Sequence, residues 1–163
     1  MVESGPPGGV LALHLGDKIG WSYGPSSLGV WTLPKSNDHG CLGAALIDAV
    51  SDITKVLRPN EIALSGPPNE VETTARPDVA VLHLGLLMVV RVFAFRRKLK
   101  MVVPNLHQVR EKMLGRAEFP RAGLKDAVLG FARRRGLDKL DLDAGHALVL
   151  WEYAEAATAR PRT

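Results

Sequence analysis

Apolar positions along this chain recur with two periods, and the switches between them mark out its elements. Short apolar runs predict strands at Val10–Leu15, Ile19–Tyr23 and Leu28–Leu33, and the turn Gly24-Pro25-Ser26-Ser27 makes the last two a hairpin. A helical stripe of Leu42, Ala45, Leu46, Ala49, Ile53 and Val56 predicts a helix from Cys41 to Leu57, stopping before Pro59. Glu61–Ser65 is apolar on both faces, as the middle strand of a covered sheet would be. Gly66-Pro67-Pro68 ends it, and a polar loop runs to about Thr74.

A long helix follows over Asp78–Leu99, apolar almost all round its middle, so it is either deeply buried or packed against a second subunit. Met101–Val103 is a fifth strand closed by Pro104. Helical segments then fall at Leu106–Leu114 and Lys125–Arg135, separated by the loop Gly115–Gly123. A last helix spans Asp143–Ala157, with Asp141 before it as a capping residue. This order predicts an α/β domain over residues 10–157, with a mixed five-stranded sheet and helices on both faces. Residues 1–9 read as a flexible leader and 158–163 as a basic tail.

Composition narrows the class. The chain has 163 residues, 46% of them hydrophobic, enough for a proper core. Its longest apolar run, Val79–Val90, is interrupted by His83 and Gly85 and followed by Arg91, so no membrane span is expected, and MVESGPPGG does not read as a secretory signal. The single Cys41 excludes an internal disulfide and a cysteine-based zinc site, and fits a small buried residue at a helix start in a reducing, cytoplasmic setting.

A net charge of +4 suits a polyanionic partner. The cations cluster at Arg91, Arg96, Arg97, Lys98 and Lys100, at Arg133–Arg135, and at Arg160 and Arg162. Such clusters are the footprint of nucleic-acid binding, although cations also favour helix C-termini through the macrodipole.

The stretch HLGDKIGW carries the most specific signal. It resembles the first-strand pattern D-x-G-x-x-x-G-W of the RNase H-like superfamily, with Gly16, Gly20 and Trp21 in register and His14 where the aspartate stands. With IALSGPP, VVPNLHQVREKMLG, Leu124-Lys125 and DAGHALVLWEYA in the same order, the chain resembles the RuvC-type Holliday-junction resolvases over roughly Val10 to Ala157. That resemblance implies a site of four acids holding two Mg²⁺ ions for phosphodiester hydrolysis. Their positions fall on His14, Ser65, Asp143 and His146, so one carboxylate remains. Two unit charges about 4 Å apart repel by roughly 4 kcal/mol at an effective dielectric of about 20, and divalent ions by more. A magnesium pair is therefore not expected.

Two functions follow from the resemblance. One is a catalytically degenerate nuclease that binds branched or duplex DNA in a structural or regulatory role. The alternative is an active endonuclease in which His14, Asp143 and His146 take Mn²⁺, Zn²⁺ or Fe²⁺, as Asp143 and His146 share a helix face. Arg96, Arg97, Lys98, Lys100, Lys112 and Lys125 are the candidate nucleic-acid contacts, Lys125 by its match to a family lysine. Asp17 could supply a displaced carboxylate, but it more readily belongs to the turn. The resemblance also implies a homodimer, built on the long helix, because a four-way junction is itself two-fold symmetric. His83 reads as a core or interface histidine, Trp21 and Trp31 as core, and His39 and His107 have no visible partner.

Overall fold

The structure, a computed structural model, describes residues 8–16, 18–66 and 77–159. Asp17, most of the loop after Gly66, and the tail cations Arg160 and Arg162 lie outside the described residues. The strands are β1 (Val10–Leu15), β2 (Ile19–Ser22), β3 (Leu28–Trp31), β4 (Glu61–Leu64) and β5 (Lys100–Val102). The helices are α1 (His39–Leu57), α2 (Pro77–Arg96), α3 (Leu106–Leu114), α4 (Arg121–Arg133) and α5 (Leu142–Thr158).

The sheet order is β3-β2-β1-β4-β5, with the first three strands antiparallel and β1, β4 and β5 parallel. β1 is therefore central, as its near-continuous apolar run requires. Alternation along the strand sends Leu11, Leu13 and Leu15 into a core with α1 and α2. Val10 and Ala12 face the other way, with Ala63 of β4, into a second core containing Val109 of α3, Phe131 of α4 and Leu148 of α5. His14 shares the parity of Val10 and Ala12, so the same alternation aims it at α5.

Several boundaries and faces differ from the sequence reading. Leu42, Leu46, Val50, Ile53 and Leu57 line the buried face of α1, while Val56 is exposed. Cys41 is also exposed, against the expectation of burial, because it lies about 100° around the helix from Leu42. α4 begins four residues before Lys125, after Pro120 at its N-cap, which absorbs part of the expected loop and places Lys125 in the second turn. α2 stops at Arg96 because the chain turns at Lys98, where Lys98 N–H donates to Phe95 O and Leu99 N–H to Ala94 O.

By length and composition α2 is apolar enough to cross a membrane, contrary to the sequence expectation, since its few interruptions leave a mean hydropathy of 2.0 over its most apolar stretch. One face, with Leu86, Leu87, Val90, Phe93 and Ala94, packs into the core. The other displays Val81, Leu84, Met88, Val92 and Phe95, so the apolar circumference is half covered and half open.

Candidate functional site

The site forms where β1 and β4 end and α5 begins. Ser65 N–H continues the parallel ladder by donating to Leu13 O at 3.0 Å. Its buried hydroxyl oxygen accepts the Leu15 N–H at 3.0 Å, closing the end of β1. Asp141 caps α5 by accepting the Asp143 N–H at 3.0 Å, as the sequence predicted, and its other oxygen accepts from Lys18 Nζ at 2.7 Å. That bond raises the Lys18 pKa and lowers that of Asp141.

The glycines of the strand-one pattern have a steric reason to be there. A Cβ on Gly20 would stand 2.0 Å from the backbone oxygen of Asp143, and one on Gly16 would stand 2.5 Å from its Oδ1. β2 is thus stripped of side chain where the first turn of α5 lies on it, and this contact sets the height of Asp143 and His146 above the sheet.

His14 and His146 stack, with ring centroids 4.5 Å apart and planes inclined by 23°. His14 Nε2 is 3.9 Å from Asp143 Oδ1, too far for a hydrogen bond. Burial holds the His14 pKa well below the usual imidazole range, and the charges of His146, His83 and Arg110 push the same way. His146 is lowered to about 4, first by burial and then by Arg110. At neutral pH the pocket therefore holds two uncharged rings and the Asp143 carboxylate, beside the Lys18–Asp141 ion pair and within the positive field of Arg110.

Two solved structures share this architecture. A Thermus thermophilus RuvC structure is 16% identical, aligns over 94% of this chain and 99% of its own, and has a TM-score of 0.61. The chain has a RuvC-like fold. T. thermophilus RuvC in complex with a Holliday junction substrate is likewise 16% identical over 94% of this chain and 98% of its own, with a TM-score of 0.66. No protein-family model matches the sequence, and no curated protein is significantly similar to it.

On this RuvC-like frame the four sequence-predicted site positions, His14, Ser65, Asp143 and His146, do converge. Their chemistry does not suit the magnesium pair that the resemblance implies. Mg²⁺ takes hard oxygen donors, and Asp143 is the one carboxylate among the four, while Ser65 Oγ is already an acceptor for backbone. A single softer ion between the histidines also meets an obstacle. Imidazole lone pairs lie in the ring plane, so two nearly parallel rings do not aim both nitrogens at one point about 2 Å away. Among the described residues no group of three or more His, Cys, Asp and Glu is arranged to hold a metal.

The candidate nucleic-acid contacts are dispersed. Lys112 Nζ sits 5.0 Å from the centre of the Tyr153 ring on the second half of α5. Lys125 is exposed on α4. Arg96, Arg97, Lys98 and Lys100 lie beside the start of β5, at the opposite end of the sheet from His14 and Ser65, and Lys100 pairs with the buried Glu61. Arg135, from the other cluster, is half-buried and already engaged, forked onto Glu152 with its guanidinium 3.4 Å over the Phe131 ring.

Sequence reasoning missed Lys18 and Arg110. The signal was available: Lys18 lies within the strand-one pattern, and Arg110 lies just after β5, on the side of the sheet edge where parallel strands end. Trp21 and Trp31 stack with centroids 5.9 Å apart in the hairpin, as core residues. His83 lines a cleft of about 320 Å³ with Leu15, Gly16 and Leu86, and His39 and His107 lie in the first turns of α1 and α3.

Proposed function

We propose that this protein binds branched or duplex DNA through its RuvC-like face and does not hydrolyse it, serving as a catalytically degenerate nuclease in a structural or regulatory role. The stacked, uncharged His14–His146 pair carries this reading. It fills the positions where the resemblance implies metal-bridging acids and supplies none of the negative charge that two divalent cations need. Arg110, whose charge reaches both rings, is the cation there that favours a phosphate.

The test is cleavage of a synthetic four-way junction by the natural sequence in Mg²⁺ and separately in Mn²⁺, with Asp143→Asn as control. Junction binding that weakens steeply with salt, without cutting in either ion, is the expected result. Cutting in Mg²⁺ that Asp143→Asn abolishes would overturn the proposal. His14→Asp, Ser65→Glu and His146→Asp together are expected to restore Mg²⁺ binding on the unchanged backbone.

The second reading, an active site rearranged around His14, Asp143 and His146 with Mn²⁺ or Zn²⁺, draws on the 3.9 Å approach of His14 to Asp143. It requires the rings to unstack, and cutting confined to Mn²⁺ would favour it.

We propose further that the protein is a homodimer built on the open apolar face of α2. Val81, Leu84, Met88, Val92 and Phe95 recur at spacings of three and four residues along one stripe, and Phe95 is 84% exposed. An isologous pair would bury this stripe and match the two-fold symmetry of a junction. Light scattering is expected to give twice the 17.6 kDa chain mass, and Leu84→Glu with Met88→Glu to give the monomer. A monomeric natural protein at high concentration would refute the pairing.

A further inference from the structure

Both crossings into the parallel half of the sheet turn on a left-handed cation. Arg58 (φ 51) ends α1 before β4, and Lys98 (φ 56) follows α2 before β5. They are the only non-glycine residues with positive φ among the described residues. Elsewhere the chain uses glycine for such helix ends, at Gly115 (φ 84) and Gly136 (φ 79). The turn at Gly136 has the same bond pattern as that at Lys98, with Gly136 N–H donating to Arg133 O and Leu137 N–H to Ala132 O. One local geometry is thus met once by the residue that adopts it freely and once by a lysine whose Cβ is crowded there.

The helix dipole does not account for that choice. Arg96 and Arg97 already place cations at the end of α2, and a glycine at 98 would leave them in place.

Lys100 N–H donates to Asn60 O at 3.0 Å, which sets the two crossings side by side along one rim of the sheet. Arg58, Arg96, Arg97 and Lys98 are exposed there, and none of them forms an ion pair among the described residues. The charged neighbours are already matched: Lys100 with Glu61, and Lys55 with Asp52 at 2.9 Å. Segments 58–60 and 95–100 contain no acid. Four residues of parallel strand separate Glu61, at this rim, from Ser65, in the RuvC-like pocket, or about 13 Å.

We infer that this rim is a second nucleic-acid contact, gripping the phosphates of a DNA segment other than the one on the RuvC-like face, so that the protein bridges two segments. The inference rests on the DNA-binding reading above for the first segment. For the second it rests on two strained cations and two unstrained ones presented together, none of them in an ion pair, on two segments free of acids, with the neighbouring Glu61 matched by Lys100 and Glu155 bound to the Val10 N–H. That is a charge pattern complementary to a phosphate backbone.

The test uses Arg58→Gly with Lys98→Gly in the full chain. Glycine removes both cations while relieving both strained turns, so the fold is not put at risk. One duplex is fixed to beads, protein is added, and retention of a second, labelled duplex is read. The natural protein is expected to retain it. The double variant is expected to bind the first duplex, lose at least tenfold in retention of the second, and melt no lower than the natural protein. Its salt dependence for the second duplex is expected to flatten by about 0.9 logarithmic units per contact removed, about 1.8 in all.

Undiminished bridging by the double variant, measured also in the monomeric Leu84→Glu, Met88→Glu background where each molecule carries one RuvC-like face, would overturn the inference. A natural protein that holds one duplex and never a second would also overturn it, leaving the DNA-binding proposal standing. A natural protein that binds no duplex would remove both. Vesicle binding to phosphatidylserine that the double variant abolishes, without bridging, would assign the rim to a membrane and overturn the inference.

Discussion

Acidification is expected to destabilise this protein through its two half-buried imidazoles. The folded pKa of His146 is about 4, against an ordinary value of 6.5, and that of His14 is lowered too. A histidine whose folded pKa is depressed binds protons more readily in the unfolded chain. The stability it protects is present above the unfolded value and is lost as pH falls toward the folded one. For His146 alone, linkage gives a loss of about 2 kcal/mol between about pH 7 and pH 5, and about 3 kcal/mol once both states are protonated. His14 adds a loss of the same sign. The measurement is the urea midpoint against pH, for the natural protein and for His146→Gln. The difference between the two profiles removes the carboxylates common to both, and is expected to narrow by about 2 kcal/mol over that window. An imidazole resonance of His146 that does not shift until below about pH 5 would be the matching spectroscopic sign. Parallel profiles, or a natural protein stabilised by mild acid, would refute the claim that these half-buried rings are uncharged.

Two further outcomes test the frame around the pocket. Gly20→Ala puts a methyl 2.0 Å from the Asp143 backbone oxygen, and is expected to cost about 3 kcal/mol in urea unfolding; a loss under about 0.5 kcal/mol would show that α5 is not seated on β2 as described. Lys100→Ala leaves the buried Glu61 carboxylate unmatched and is expected to cost about 2 kcal/mol, a value reduced because Lys100 is half exposed, with recovery on adding Glu61→Gln; a double variant no more stable than the single one would refute the pairing.

Much of this architecture was legible in the sequence. The apolar run at Val10–Leu15 reads as a central strand, and Asp141 before the last helix reads as a cap ahead of a ligand; the structure has both, the strand in the middle of the sheet and the cap on the Asp143 N–H. What escaped depended on the third dimension. Val56 is apolar yet exposed because burial follows the Leu42–Leu46–Val50 row, and the next residues on that row are Ile53 and Leu57. An all-round apolar helix such as α2 does not say which of its faces a monomer covers. The four site positions were readable through the resemblance, but the ring stacking and the reach of Arg110 were not, because they join β1, α3 and α5. The separation of the Arg96–Lys100 cluster from the pocket could have been foreseen. Residues that immediately precede a parallel strand lie at the end of the sheet opposite to residues that immediately follow one, and the crevice of such sheets opens at the latter end.

The seating of α5 has a mechanical consequence. The helix is a rod of 17 residues, about 26 Å long. Its first turn rests on Gly20, and near its last turn Glu155 Oε1 accepts the N–H of Val10, the first residue of β1, at 2.9 Å. A rod held at its start on β2 and near its end on β1 resists sliding along the sheet more than tilting about its middle, where Leu148 and Leu150 are fully packed. A load that lifts Asp143 and His146 off the sheet therefore presses Glu155 toward the start of β1, next to the strand that begins with Glu61. The pocket and the cationic rim are the two arms of one lever.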